Sequence, residues 1–236
     1  MNARWAELVG AFMLLTRLPV SVLSHANPAT ARCVWAYPVV GAAIGSAGAL
    51  VFILAAFAMP TVLAAMVAVG VTVLLTGALH EDGLADVADG FGGGATPVRK
   101  LEIMRDSRIG TYGATALMLS LGVRVAAVAG SAHPALALLL AGVLGRVGIL
   151  VVLAILGPAR PDGLAATLGD VARPRVFVGL ALGIACAYAS PGAVLAAGIT
   201  AVGMAWLARR QVGGYTGDVL GAAEQAAECG VMLVMA

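Results

Sequence analysis

Three aspartates, Asp82, Asp86 and Asp89, stand at i, i+4 and i+7 in the run His80-Glu81-Asp82-Gly83-Leu84-Ala85-Asp86-Val87-Ala88-Asp89-Gly90. On a helix that spacing puts the three carboxylates on one face. Their mutual repulsion favours a cation among them. Hard oxygen donors suit Mg²⁺, which takes one or two carboxylates together with phosphate oxygens and water. Six of the twelve acidic residues fall between Glu81 and Asp106. Gly90, Gly92, Gly93 and Gly94 follow the stripe at once, and four glycines in five positions suit close approach of the backbone to a ligand. A solvated charged helix end is the plain alternative. The stripe directly continues an apolar segment and lacks Lys and Glu filler, which tells against it.

Two further stretches carry chemistry. Arg105 and Arg108 are one helical turn apart, a spacing that lets both reach one phosphate. Asp106 between them can join a metal or orient an arginine. Arg99 and Lys100 just upstream suit anionic lipid headgroups. In the run Gly213-Gly214-Tyr215-Thr216-Gly217-Asp218, the glycines predict a tight turn and Asp218 opens the last helix. Glu224 and Glu228 then lie one turn apart in an apolar setting, as do the lone basic residues Arg124 and Arg146 in theirs. Charges in such segments face partners or a site, so each arginine is expected to pair with a carboxylate or reach a phosphate. His80 abuts the stripe and is either a base, a supporting donor or a structural residue. His25 and His133 read as loop residues.

The elements that must position these groups are membrane helices. Of 236 residues, 61% are hydrophobic and 11% charged, and the mean hydropathy is +0.99. A water-soluble domain is nearer half apolar and a quarter charged. Apolar windows fall at 34–58, 61–79, 112–131, 134–156, 176–189 and 192–208, with a weaker one at 219–236. A span needs about 20 residues, so the windows predict an all-α polytopic bundle of about six to seven spans. The acidic, glycine-rich active-site loop is expected on its cytoplasmic side. Residues 8–23 contain Arg17 and Pro19 and lack a convincing cleavage site, so they read as a mature amphipathic or re-entrant segment. Twelve of the fourteen Lys and Arg residues flank the windows on one side, and the other two are Arg124 and Arg146. The positive-inside rule then puts the charged segments in the cytoplasm. The chain reads as one integral-membrane domain, 1–236. Cys33, Cys186 and Cys229 form no CxxC or Cys/His cluster, which argues against zinc and a disulfide framework. No basic stripe calls for nucleic acid.

The strings Leu-Leu-Thr-Arg-Leu-Pro-Val at 14–20, Tyr-Pro-Val-Val-Gly at 37–41, the acidic run at 80–90, Met-Arg-Asp-Ser-Arg-Ile-Gly-Thr-Tyr-Gly at 104–113 and Gly-Gly-Tyr-Thr-Gly-Asp-Val-Leu-Gly-Ala at 213–222 together resemble the cobalamin synthase family, the adenosylcobinamide-GDP ribazoletransferases. They run in the family's order from end to end. Val87 stands where the family often carries Thr, off the carboxylate face. The resemblance implies a reaction at the cell inner membrane. A ribose hydroxyl of α-ribazole, or of its 5′-phosphate, attacks the corrinoid-linked phosphate of adenosylcobinamide-GDP, and GMP leaves. Phosphoryl transfer needs charge neutralisation and alignment more than covalent help. On this reading Asp82, Asp86 and Asp89 hold Mg²⁺. Arg105, Arg108, Asp218 and the glycines Gly90, Gly92 and Gly93 bind substrate. Glu81, Asp82, Asp106 and His80 are the candidates for catalysis, with the proton acceptor among them open. Membrane lipid surrounds the chain, and a homo-oligomer is allowed. Two rivals stand beside this reading. The stripe is similar in style to the metal motif of CDP-alcohol phosphotransferases, but the Ala-Arg that follows the first Asp-Gly pair in that family is absent. A cation-coupled transporter would need carboxylates at mid-membrane depth, and no clear internal repeat supports it.

Overall fold

Backbone groups inside a bilayer must satisfy one another, and in a single chain of this composition helices do so. The structure, a computed structural model, describes residues 3–23, 30–162, 168 and 173–236. His25 lies outside the described residues. Eleven α-helices follow in chain order among the described residues: α1 (Ala3–Leu15), α2 (Thr30–Cys33), α3 (Tyr37–Ala56), α4 (Thr61–Thr76), α5 (Leu79–Gly93), α6 (Pro97–Ile103), α7 (Thr111–Gly130), α8 (Pro134–Ile155), α9 (Arg173–Cys186), α10 (Pro191–Val212) and α11 (Gly217–Met235). Proline sets several starts. Pro97, Pro134 and Pro191 each occupy the first turn of a helix, where the missing N–H costs nothing.

Four stretches are long and apolar enough to cross a membrane: Ala31–Ala56, Thr111–Gly130, Pro134–Ile155 and Pro191–Val212. Joining α4 to α5 would give a fifth, but the pair is bent by 89°. Among the described residues, fewer helices meet the length and apolarity of a span than the six to seven expected. The window at 61–79 ends as a helix at Thr76, and α9 has only 14 residues. The bend also corrects the expected loop, because the acidic run and its glycines are helical through Gly93. Helix α5 carries Glu81, Asp82, Asp86 and Asp89 and turns away from α4.

The break is built from two left-handed residues. Gly77 ends α4 at φ +66°, and Ala78 precedes α5 at φ +58°. The second is unusual, since a Cβ in that region costs about 1–2 kcal/mol. The N-terminal motif clamps this corner. The Arg17 amide donates to the Leu75 carbonyl at 2.7 Å, and the Arg17 side chain lies against Gly77, where a Cβ would sit 2.3 Å from Nε.

Helix α8 is the centre of the bundle: 72% of its window is buried, against 28% in α7 and α10. It meets α3 through glycine. A Cβ on Gly41 would lie 2.1 Å from the Gly142 carbonyl oxygen, and one on Gly45 2.6 Å from that of Leu138. Small residues four apart let membrane helices approach backbone to backbone, where dispersion and packing hold them. Helix α11 packs between α5, α7, α8 and α10, with buried residues from Val219 to Met232.

Candidate active site

The site forms where α5 crosses the start of α11. Glycine makes the crossing possible. A Cβ on Gly83 would lie 2.8 Å from the Asp218 carbonyl oxygen, and one on Gly221 3.2 Å from the His80 Cα. Thr216 caps α11 by accepting from the Val219 amide at 3.2 Å, and its hydroxyl donates to Asp218 Oδ2 at 3.1 Å. The crossing thus sets the exposed Asp82 and the half-buried Asp86 of α5 beside Asp218. Partial burial raises the Asp86 carboxyl to about 7, and the nearby charges of Asp218, Asp82 and Asp89 add to the effect. A carboxyl crowded in this way by like charges is relieved by a cation.

Among the described residues no three His, Cys, Asp or Glu side chains are gathered closely enough to hold a metal by themselves. Mg²⁺ does not require three. It is commonly held by one or two carboxylates, with substrate phosphates and water filling the remaining positions. Asp82 and Asp86 fit that demand. Asp89 is engaged elsewhere: its Oδ2 accepts from the Gly110 amide at 2.7 Å and its Oδ1 from the Gly113 amide at 2.9 Å. It thereby satisfies free N–H groups at the start of α7. A Cβ on Gly110 or Gly113 would sit 2.4 Å from a carboxylate oxygen, so these glycines fit Asp89 and not a ligand.

Cations approach this rim from a segment that the sequence left unassigned. Residues 157–159 pair with the turn before α11: Tyr215 donates to the Gly157 carbonyl at 2.9 Å, and Ala159 donates to the Tyr215 carbonyl at 2.8 Å. That pairing carries Arg160 to Asp218, with Nη2 3.4 Å from Oδ2. Nη1 of Arg160 is buried without a hydrogen-bond partner. Two residues on, Asp162 accepts from Arg105 at 2.6 Å. Arg105 and Arg108 do not converge on one point. Arg108 is exposed and bonds Asp106 through both Nε and Nη2, at 2.7–3.2 Å. Those hydrogen bonds hold the Asp106 carboxyl down at about 2, which makes it a weak proton acceptor and a group that orients Arg108. Two of the three glycines expected to bind phosphate, Gly90 and Gly92, lie close against protein side chains. A Cβ on Gly90 would meet the Met104 side chain at 2.5 Å, and one on Gly92 the Tyr112 ring at 2.8 Å; Gly93 has only Ile103 near, at 3.6 Å.

Glu81 faces away from the rim, into a buried polar cluster. Glu81 Oε1 accepts from Arg124 at 2.8 Å and from Gln225 at 3.1 Å. Arg124 also reaches Glu228 at 2.9 Å, and Arg146 pairs with Glu224 and, at 2.7 Å, with Glu228. Thr72 accepts from Arg124 at 3.2 Å. Both arginines, expected to find a carboxylate or a phosphate, find carboxylates. Glu81 is therefore tied to Arg124 on the side of α5 opposite Asp82, which is the geometry of a brace and not of a proton acceptor at the rim. His80 is buried, with Nδ1 3.8 Å from Glu224 and Nε2 without a partner.

Fold and site define a polytopic helical membrane protein with a carboxylate rim and neighbouring guanidinium groups, a setting for phosphate-bearing substrates. Residues 7–236 match the family described as cobalamin-5-phosphate synthase, and the chain belongs to that family. It is 47% identical to an adenosylcobinamide-GDP ribazoletransferase of Bradyrhizobium diazoefficiens, over 98% of this chain and 93% of the relative. Proteins of the same name from Azorhizobium caulinodans and Mesorhizobium japonicum are 44% and 43% identical, covering 97% and 94% of this chain and 94% and 89% of theirs. No solved structure matches the chain.

Proposed function

We propose that this chain joins adenosylcobinamide-GDP to α-ribazole or its 5′-phosphate, releasing GMP, at the cytoplasmic face of the inner membrane. Family membership along nearly the whole chain supports the reaction. The observation that carries the site is the meeting of Asp82, Asp86 and Asp218 at a glycine-mediated helix crossing, with Arg160 at its edge. The positive-inside distribution of basic residues supports the orientation.

A ribose hydroxyl oxygen forms the new bond to the corrinoid-side phosphorus while the bond from that phosphorus to the GMP oxygen breaks. The hydroxyl proton passes to the Asp218 carboxylate at the rim. Arg160, held on Asp218 at the edge of the rim, adds positive charge beside the diphosphate, and Arg105 and Arg108 draw the anion to the rim from the exposed side. Asp82 and Asp86 would hold Mg²⁺, which supplies charge neutralisation on the phosphates. Asp89 sets the start of α7, and Glu81 braces α5.

The test supplies purified protein with adenosylcobinamide-GDP, α-ribazole and Mg²⁺ and follows GMP release. Release that needs both substrates and stops with EDTA is expected. GMP formed without ribazole, or no GMP at all from folded protein, would overturn the assignment. The CDP-alcohol phosphotransferase and transporter readings find no support in the family match.

A further inference from the structure

Beside the rim a cavity of about 170 Å³ reaches into the bundle between α1, α3, α5, α8 and α11. Its walls are apolar and well buried, with Leu15, Tyr37, Ile149 and Leu220 between 2% and 7% exposed. Asp82 and Asp218, both partly open to solvent, stand at its mouth. His80 lines it with a side chain only 4% exposed, and its Nε2 has no partner among the described residues.

Resting on the transferase reading above, we infer that this cavity receives the bicyclic aromatic base of the ribazole nucleoside, with its ribose at the mouth. Size excludes the corrin macrocycle. Charge excludes the diphosphate, which would be pressed between apolar walls and two carboxylates. Guanine is also bicyclic, but its edge carries several donors and acceptors, and the walls would leave most of them unpaired. An alkylated benzimidazole has the opposite balance. Its benzo ring and methyl groups match leucine and isoleucine, and it carries few polar atoms that the walls would leave unpaired. Seating the base there directs the sugar hydroxyls toward Asp82 and Asp218, where the attacking oxygen is needed.

The wild-type enzyme gives one test and wall variants give another. With dimethylbenzimidazole, benzimidazole and imidazole ribosides in turn, KM for the nucleoside should rise with each apolar group removed, by about tenfold or more on loss of the benzo ring. KM for adenosylcobinamide-GDP should stay within about twofold. Leu15→Phe and Leu79→Phe, which narrow the cavity, should raise KM for ribazole about tenfold and leave that of the corrinoid nucleotide alone. GMP should compete with the corrinoid nucleotide and not with ribazole. Equal KM for the three ribosides overturns the inference. So do filled variants that keep the wild-type KM for ribazole, as they would if lipid occupied the cavity, and a shift confined to the corrinoid nucleotide, as for a guanine pocket. None of these outcomes touches the transferase reading, which fails if the wild type makes no GMP or makes it without ribazole.

Discussion

At the residue scale, the chain separates its acidic groups by direction. Asp82 and Asp86 open toward the rim, while Glu81, adjacent in sequence, turns inward to Arg124. Successive residues on a helix differ by about 100°, so that division could have been read from the spacing, and it is what separates rim from brace. Asp82→Asn should lower kcat for GMP release by about a hundredfold or more while the protein still inserts, since a lost transition-state partner costs about that. Arg160→Ala should raise KM for adenosylcobinamide-GDP and leave KM for ribazole near wild type, as steady-state kinetics would show. Arg160 was missed because its link to Asp218 runs through the pairing of Gly157 and Ala159 with Tyr215. Two segments more than fifty residues apart meet there, and no local pattern announces it. The place of Asp218 at the start of α11 was legible, because a turn followed by a capped helix start is a local signal.

At the element scale, glycine sets the distances. The glycines after the acidic stripe were read as room for a ligand, and they give room to neighbouring helix α6 and Tyr112 instead. Composition cannot distinguish the two, because both need only the absence of a Cβ. Gly83→Leu should therefore separate α5 from α11 and abolish GMP release even though no carboxylate is altered; an active Gly83→Leu protein would show that the crossing does not set the rim. The α4–α5 corner gives an opposing pair of expectations. Ala78→Gly removes a left-handed Cβ and should be neutral or stabilising, by about 1 kcal/mol. Gly77→Ala places a Cβ against Arg17 and should lower the thermal midpoint in detergent. The corner itself was not visible in the sequence, since alanine at φ +58° carries no signature. That is why 61–79 read as one straight window.

At the scale of the molecule, a bundle of apolar helices holds a charged core. Arg124 and Arg146 are each about 1% exposed, and their partners Glu81, Glu224 and Glu228 no more than 6%. Removing one member of such a pair leaves an uncompensated buried charge and costs about 3–5 kcal/mol. Arg146→Met should thus reduce the folded yield in membranes sharply, and more than Arg108→Met, whose partner Asp106 lies at the surface. Thermal unfolding in detergent and gel filtration would compare the two. The all-α bundle was legible from hydropathy. The number of spans was not, because hydropathy reads how apolar a helix is and not whether other helices surround it. Helix α11 illustrates the limit: its Asp and Glu residues exclude it by composition, yet it lies at the heart of the packing.

That placement bears on how the protein is made. Alone, the 19 residues of α11 are a poor guest for hydrocarbon, since three of them are acidic. They become acceptable once Arg124 and Arg146 are waiting on helices made earlier. Arg124 can already meet Glu81 of α5, whereas Arg146 finds its carboxylates only once α11 is in place, and the same helix delivers Asp218. A partly translated chain owns the stripe on α5 but not the second wall of the cleft, so competence for catalysis and completion of the bundle come in one event.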